Sequence, residues 1–128
     1  MRKEYISPET TLMKVHTNKV MTEQYFNRID GYSGNEDCGQ MSSWYIWSSM
    51  GFYPVDPASG VYSFGSPQLR RADITLANGK TFTVKTNRRG TDDCYIKAVK
   101  LNGKKYKKNY ITYTDIMAGG TLEFVMGK

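Results

Sequence analysis

The chain is predicted to be α+β: two N-terminal helices, then an antiparallel, β-sandwich-like segment of six to seven strands. Apolar residues recur at helical spacing up to residue 50 and at a period of two beyond residue 60. Turn signals, Asn78-Gly79 and Asn102-Gly103 foremost, then recur about every 8–12 residues. Helical runs precede strand runs, which means segregated layers rather than alternating α/β units. The 128 residues make one domain or a piece of a larger one, and 39% hydrophobic with 13% aromatic content describes a globular chain. The expected organisation is a helical segment over 1–56, carrying the loop Gly34 to Gln40, and a β subdomain over 57–128.

Each element has a local reason. Ser7-Pro8-Glu9 reads as a helix start, with Ser as N-cap and Pro at the first helical position. Leu12, Val15, Val20, Met21, Tyr25 and Phe26 continue it as an apolar stripe, and Asp30-Gly31 closes it, so a helix is expected over about 8–27. His16 on that helix is read as a surface or packing residue. Asp37 with Gln40 three residues on has capping-box spacing, and Met41, Trp44, Tyr45, Trp47 and Met50 follow at helical periods up to Gly51. The second helix, 38–50, is aromatic on nearly all sides and expected to be well buried, although a chain this short lacks the partner helices to cover it.

Phe52 to Pro57 reads as an extended connector, because each Pro holds its predecessor out of the α region. Strands are expected at 61–64, 71–77, 81–86 and 95–101, with a Lys-rich return to Tyr106, then at 110–113 and 121–126.

Net charge is +6. Lys97, Lys100, Lys104, Lys105, Lys107 and Lys108 crowd one hairpin and read as a solvated edge that blocks sheet-to-sheet pairing. They lack the aromatic interleaving of single-strand binders, so no nucleic-acid partner is expected. Cys38 and Cys94 form no C-x-x-C motif, and with one His they are too few for a Cys/His zinc site; free and mostly buried thiols are expected. Met1-Arg2-Lys3-Glu4 leads into no signal-peptide core, and no run approaches a membrane span.

The chemistry is expected in Gly34-Asn35-Glu36-Asp37-Cys38-Gly39-Gln40. Adjacent carboxylates at a helix N-terminus are favoured in the ionised form, which suits a general base or a cation ligand and not a general acid. On residue chemistry alone Asp37 is equally an N-cap and Glu36 its solvated neighbour. The glycines on both sides allow close backbone approach to a ligand.

Gly34 to Ser42, then Trp44-Tyr45 and Met50-Gly51-Phe52-Tyr53-Pro54-Val55, closely resemble the C-terminal portion of glycoside hydrolase family 92, the exo-acting α-mannosidases common in gut Bacteroidetes. The likeness continues through Tyr62, Gly65-Ser66-Pro67, Asn78 to Phe82, Leu101-Asn102-Gly103 and Gly119 to Leu122, covering roughly 14–128 but not residues 1–10. The resemblance implies an N-terminal β-sandwich joined to an (α/α)6 barrel, the two helices here being a remnant of that barrel. It implies calcium-dependent, inverting removal of terminal α-mannose, with α-1,2 linkages expected, from mannose-containing glycans by a periplasmic or secreted parent. By the same resemblance Asp37 and Glu36 are the catalytic candidates, with Asp37 as general base, and Asn35 and Gln40 meet the substrate. Asn35 stands where some members carry an acidic residue that assists the base. The general acid and most calcium ligands would lie in the remainder of the parent enzyme, leaving this chain inactive alone. The alternative is a non-catalytic carbohydrate-binding or accessory β module using Tyr62, Tyr95, Tyr106, Tyr110 and Tyr113.

Overall fold

A computed structural model of the protein describes residues 24–88, 90 and 93–128. The helix expected over 8–27, with His16, lies almost entirely outside the described residues. The expected α+β order holds. Helix α1 (Gln40–Met50) is followed by β1 (Phe52–Asp56), a 3-10 turn (Pro57–Ser59), β2 (Val61–Phe64), β3 (Arg71–Thr75), β4 (Thr81–Thr86), β5 (Tyr95–Leu101), β6 (Lys104–Tyr106), β7 (Tyr110–Thr112), α2 (Tyr113–Met117) and β8 (Gly120–Gly127). The described residues thus hold eight strands, beyond the six to seven expected.

The strands make a three-stranded sheet, β1-β2-β7, and a five-stranded sheet, β3-β4-β8-β5-β6. All pairs are antiparallel except β4 with β8, which run parallel in the register Phe82↔Gly120 to Thr86↔Phe124. Parallel neighbours need a long crossover, here everything from β5 to α2, and local sequence carries no signal for that pairing.

The extra strand is β1, read from sequence as a connector. Phe52 pairs with Phe64 and Tyr53 with Ser63, then the register shifts before Asp56 meets Val61. Pro54 sits inside that irregularity on an edge strand, where its missing N–H costs no ladder bond. Tyr113, expected in a strand, instead opens α2. Thr112 and Asp115 cap that short helix reciprocally: the Asp115 amide donates to Thr112 Oγ1 at 3.2 Å, and the Thr112 amide donates to Asp115 Oδ2 at 3.2 Å.

The core lies between the two sheets. Phe52 and Phe64 of the small sheet meet Phe82 and Phe124 of the large one edge-to-face, at centroid distances of 6.5 and 5.2 Å. Ile111, Leu122, Val84, Val99, Ile116, Met126 and Met50 complete the buried cluster. Each fully buried Phe contributes about 1.5–3 kcal/mol by leaving water. The Lys-rich return strand β6 is the outer edge of the large sheet, as the edge-protection reading expects.

Helix α1 is less buried than its aromatic sequence suggests. Its C-terminal residues Ser48, Ser49 and Met50 are buried, whereas Tyr45 and Ile46 are 41% and 58% exposed. Only its last turn is seated on the sheets. Gly51 ends it at φ 96°, and the amides of Gln68 and Leu69 both donate to the Ser49 carbonyl, at 2.8 and 3.1 Å. Arg88 ties down the same loop by donating to Pro67 O at 3.0 Å and Gln68 Oε1 at 2.7 Å.

A Cβ on Gly51 would stand 2.9 Å from Pro67 Cβ and 3.1 Å from Phe124 Cε2. Gly51→Ala should therefore destabilise the chain by about 2–4 kcal/mol in urea unfolding, combining the left-handed penalty with overpacking. Gly103→Ala, at φ 80° with open space around it, should cost only about 1–2 kcal/mol. Equal losses at the two sites would contradict the packing role of Gly51.

Candidate active site

The N-terminal end of α1 is held by a small hairpin. Tyr25 and Tyr32 form an antiparallel bridge, closed by the Phe26 amide donating to Gly31 O at 2.7 Å. Tyr25 stacks on Trp44 of α1, with centroids 5.6 Å apart and planes 12° apart, and also meets Tyr45 at 4.8 Å and Tyr32 edge-on at 5.8 Å. The two phenols then grip consecutive residues of the helix. Tyr25 donates to Met41 O at 2.9 Å, and the Tyr32 hydroxyl shares a hydrogen bond with Ser42 Oγ at 2.6 Å.

The carboxylate loop enters α1 through three successive left-handed residues: Asp37 at φ 54°, Cys38 at φ 58° and Gly39 at φ 92°. This overturns the expected capping. Gly39, not Asp37, is the N-cap, and no side chain caps the helix there. The Gln40 amide donates to the Asp37 carbonyl at 3.3 Å, and the next two amides turn to Glu36. Met41 N–H donates to the Glu36 carbonyl at 3.2 Å, and Ser42 N–H donates to Glu36 Oε1 at 2.8 Å. The expected capping box does not form: Asp37 lies in the left-handed region, two residues before the actual N-cap. Cys38, expected to be buried, is exposed; both cysteines are free, as expected.

A cleft of about 350 Å³ opens beside this turn, lined by Gln24, Tyr25, Asp37, Gln40, Met41 and Trp44. Two of the four expected site residues, Asp37 and Gln40, line it. Glu36 is half-buried behind them and Asn35 is exposed outside the lining. Tyr25 and Gln24 are contributions that sequence reasoning missed, since both fell within the expected first helix and carried no signal linking them to α1.

Burial and hydrogen bonding separate the two carboxylates. The Ser42 amide holds the Glu36 carboxyl below the usual glutamate range, against the opposing effect of partial burial and with help from the Ser42 and Tyr32 hydroxyls. Its second oxygen, Oε2, is enclosed and makes no hydrogen bond among the described residues. Tyr25 is pushed up by burial first and by the Glu36 charge second, so it remains a neutral donor to Met41.

The chain matches the model of the glycosyl hydrolase family 92 catalytic domain over residues 6–128. The chain belongs to glycosyl hydrolase family 92. A family GH92 α-mannosidase from Bacteroides thetaiotaomicron is 40% identical, with a TM-score of 0.82 over 89% of this chain and 15% of its own. An inverting GH92 mannosidase from the same organism is 37% identical, with a TM-score of 0.82 over 96% of this chain and 17% of its own. An uncharacterized secreted glycosidase of Arthroderma benhamiae is 32% identical over 124 residues, 94% of this chain and 16% of that protein. The chain thus spans about one sixth of the length of these GH92 and glycosidase relatives. No helix among the described residues of this GH92 segment is long and apolar enough to cross a membrane.

The tyrosines of the alternative reading do not share one exposed platform in the GH92 segment. Tyr62 packs on Trp47 and Phe52, Tyr106 donates to Tyr110 O at 2.8 Å, and Tyr95 and Tyr113 are the exposed members.

A lowered glutamate supplies stability that is present above its unfolded pKa and is lost as pH falls through the folded value. In an NMR acid titration the Ser42 amide resonance should move with a midpoint below the ordinary glutamate range, and Glu36→Gln should abolish that movement. A Ser42 amide indifferent to acid would disprove the Glu36 bond.

Proposed function

We propose that this segment forms one wall of the active site of an inverting exo-α-mannosidase, with Asp37 as the general base. Asp37 is the carboxylate that lines the cleft, alongside Gln40 and an aromatic wall of Trp44 and Tyr25, in a chain that belongs to family 92. Inversion needs a base to activate water on the face of the sugar opposite the leaving group, and an acid about 6.5–9.5 Å away to protonate the glycosidic oxygen. Asp37 is exposed to the cleft and not committed to capping α1, which leaves it available to take a proton from water. Gln40 is assigned to sugar hydroxyls, since its amide both donates and accepts. Asn35 is neutral and would orient substrate or water rather than assist by charge.

The general acid would come from outside this segment, so the 128 residues alone would be inactive. Residues 1–56 would belong to the catalytic barrel and 57–128 to a β subdomain supporting it. The described residues bring together no group of three or more His, Cys, Asp or Glu that could hold a metal. A calcium ion takes about six to eight oxygens, so these residues do not make its cage by themselves. The calcium expected from the family is proposed to be held mainly elsewhere in the parent. The substrate is proposed to be a mannose-terminated glycan met in the periplasm or outside the cell. The relatives support this: one GH92 α-mannosidase structure holds mannoimidazole, and the fungal relative is a secreted glycosidase.

Asp37→Asn in the full-length enzyme should lower kcat on an aryl α-mannoside by about 10²–10⁴-fold while circular dichroism stays unchanged. A folded variant with an undiminished rate would remove Asp37 from the mechanism.

A further inference from the structure

We infer that Glu36 is a positioning residue: it staples the left-handed turn 37–39 and so aims Asp37 at the cleft, taking no proton itself. This rests on the reading of Asp37 as base and assigns its neighbour a separate task.

One residue supplies two acceptors to the first turn of α1. The Glu36 carbonyl takes the Met41 amide at 3.2 Å, and Oε1 takes the Ser42 amide at 2.8 Å. Amides in a first helical turn have no intrahelical partner, so these bonds replace a cap. Between the two ends of the staple lie Asp37, Cys38 and Gly39, all left-handed. Such a run persists where its surroundings over-determine it. Here the hairpin phenols supply the rest of the clamp, because Tyr25 and Tyr32 bond Met41 and Ser42, the same two residues that Glu36 holds.

The same geometry removes Glu36 from proton transfer. A general base must lie within hydrogen-bond reach of the proton it takes. Glu36 Oε1 is occupied by Ser42, Oε2 is enclosed, and neither belongs to the cleft lining. Asp37, one residue on, faces the cleft because the left-handed turn reverses the direction of the chain there.

The test compares Glu36→Gln, Glu36→Ala and Asp37→Asn in the full-length enzyme carrying this segment, reading kcat and the pH profile of kcat/KM on an aryl α-mannoside. Glu36→Gln keeps an acceptor for Ser42, so kcat should stay within about tenfold and the acid limb of the profile should remain. Glu36→Ala releases the staple and should cost about 10²-fold in kcat, the usual effect of misplacing a reacting group by an ångström, again with the acid limb retained. Asp37→Asn should lose the limb together with the activity. If Glu36→Gln is as damaging as Asp37→Asn and erases the limb, Glu36 is itself the base and the inference fails. Wild-type kinetics in folded Glu36→Ala would equally overturn it. If Glu36→Ala does not fold, the Gln variant alone decides. An active Asp37→Asn enzyme would sink the underlying reading of Asp37, a result distinct from either failure at Glu36.

Discussion

Everything at the candidate site depends on how α1 is seated. Its last turn is pressed onto Pro67 and Phe124 at Gly51, where a side chain has no room, and the Ser66–Leu69 loop satisfies the Ser49 carbonyl. The other end, over its first two turns, carries Gln40, Met41 and Trp44. A helix fixed rigidly at one end and clamped by two phenols at the other transmits the order of the sheet core to the loop before it. The 5.2 Å contact of Phe64 with Phe124 is therefore part of the site's support, although it lies at the far end of the helix from the cleft. Sites built from such rigid elements hold geometry better than free loops do.

Two adjacent carboxylates look redundant in sequence and are not so in space. Glu36 faces inward and meets the helix amides; Asp37 faces outward and meets the cleft. One peptide bond separates them, and the change of environment comes from the backbone: a run of positive φ turns the chain over. Although both carboxylates precede the same helix, Glu36 is the one whose side chain takes a first-turn amide, that of Ser42 at 2.8 Å.

The strands and hairpins were legible because their signals are local. Alternation marked β2 to β5, and Asn78-Gly79 and Asn102-Gly103 marked their turns, where Asn102 and both glycines adopt positive φ. What was not legible was long-range or conflicting. The parallel contact of β4 with β8 spans the intervening strands, and β1 carries a proline that argues against a strand until an edge and a bulge are known. The Thr112 to Asp115 capping box was readable by spacing, yet a five-residue helix has too few periods to announce itself. At the site, the motif from Gly34 to Tyr45 pointed to the loop that borders the cleft. It could not show which carboxylate turns inward, because a left-handed run through Asp37 and Cys38 is uncommon for non-glycine residues and nothing in the order of Glu36 and Asp37 signals it.

Strand β8 is the latest of the eight in sequence and lies at the centre of its sheet, between β4 and β5. As the chain emerges from the ribosome, β4 and β5 must therefore wait, each with an inner edge unpaired, until residues 120–127 arrive. The nascent segment cannot complete its sheet hairpin by hairpin. It must hold two half-sheets apart through the synthesis of about thirty residues and then close them in one cooperative event, with the contact order and aggregation exposure that such late closure brings.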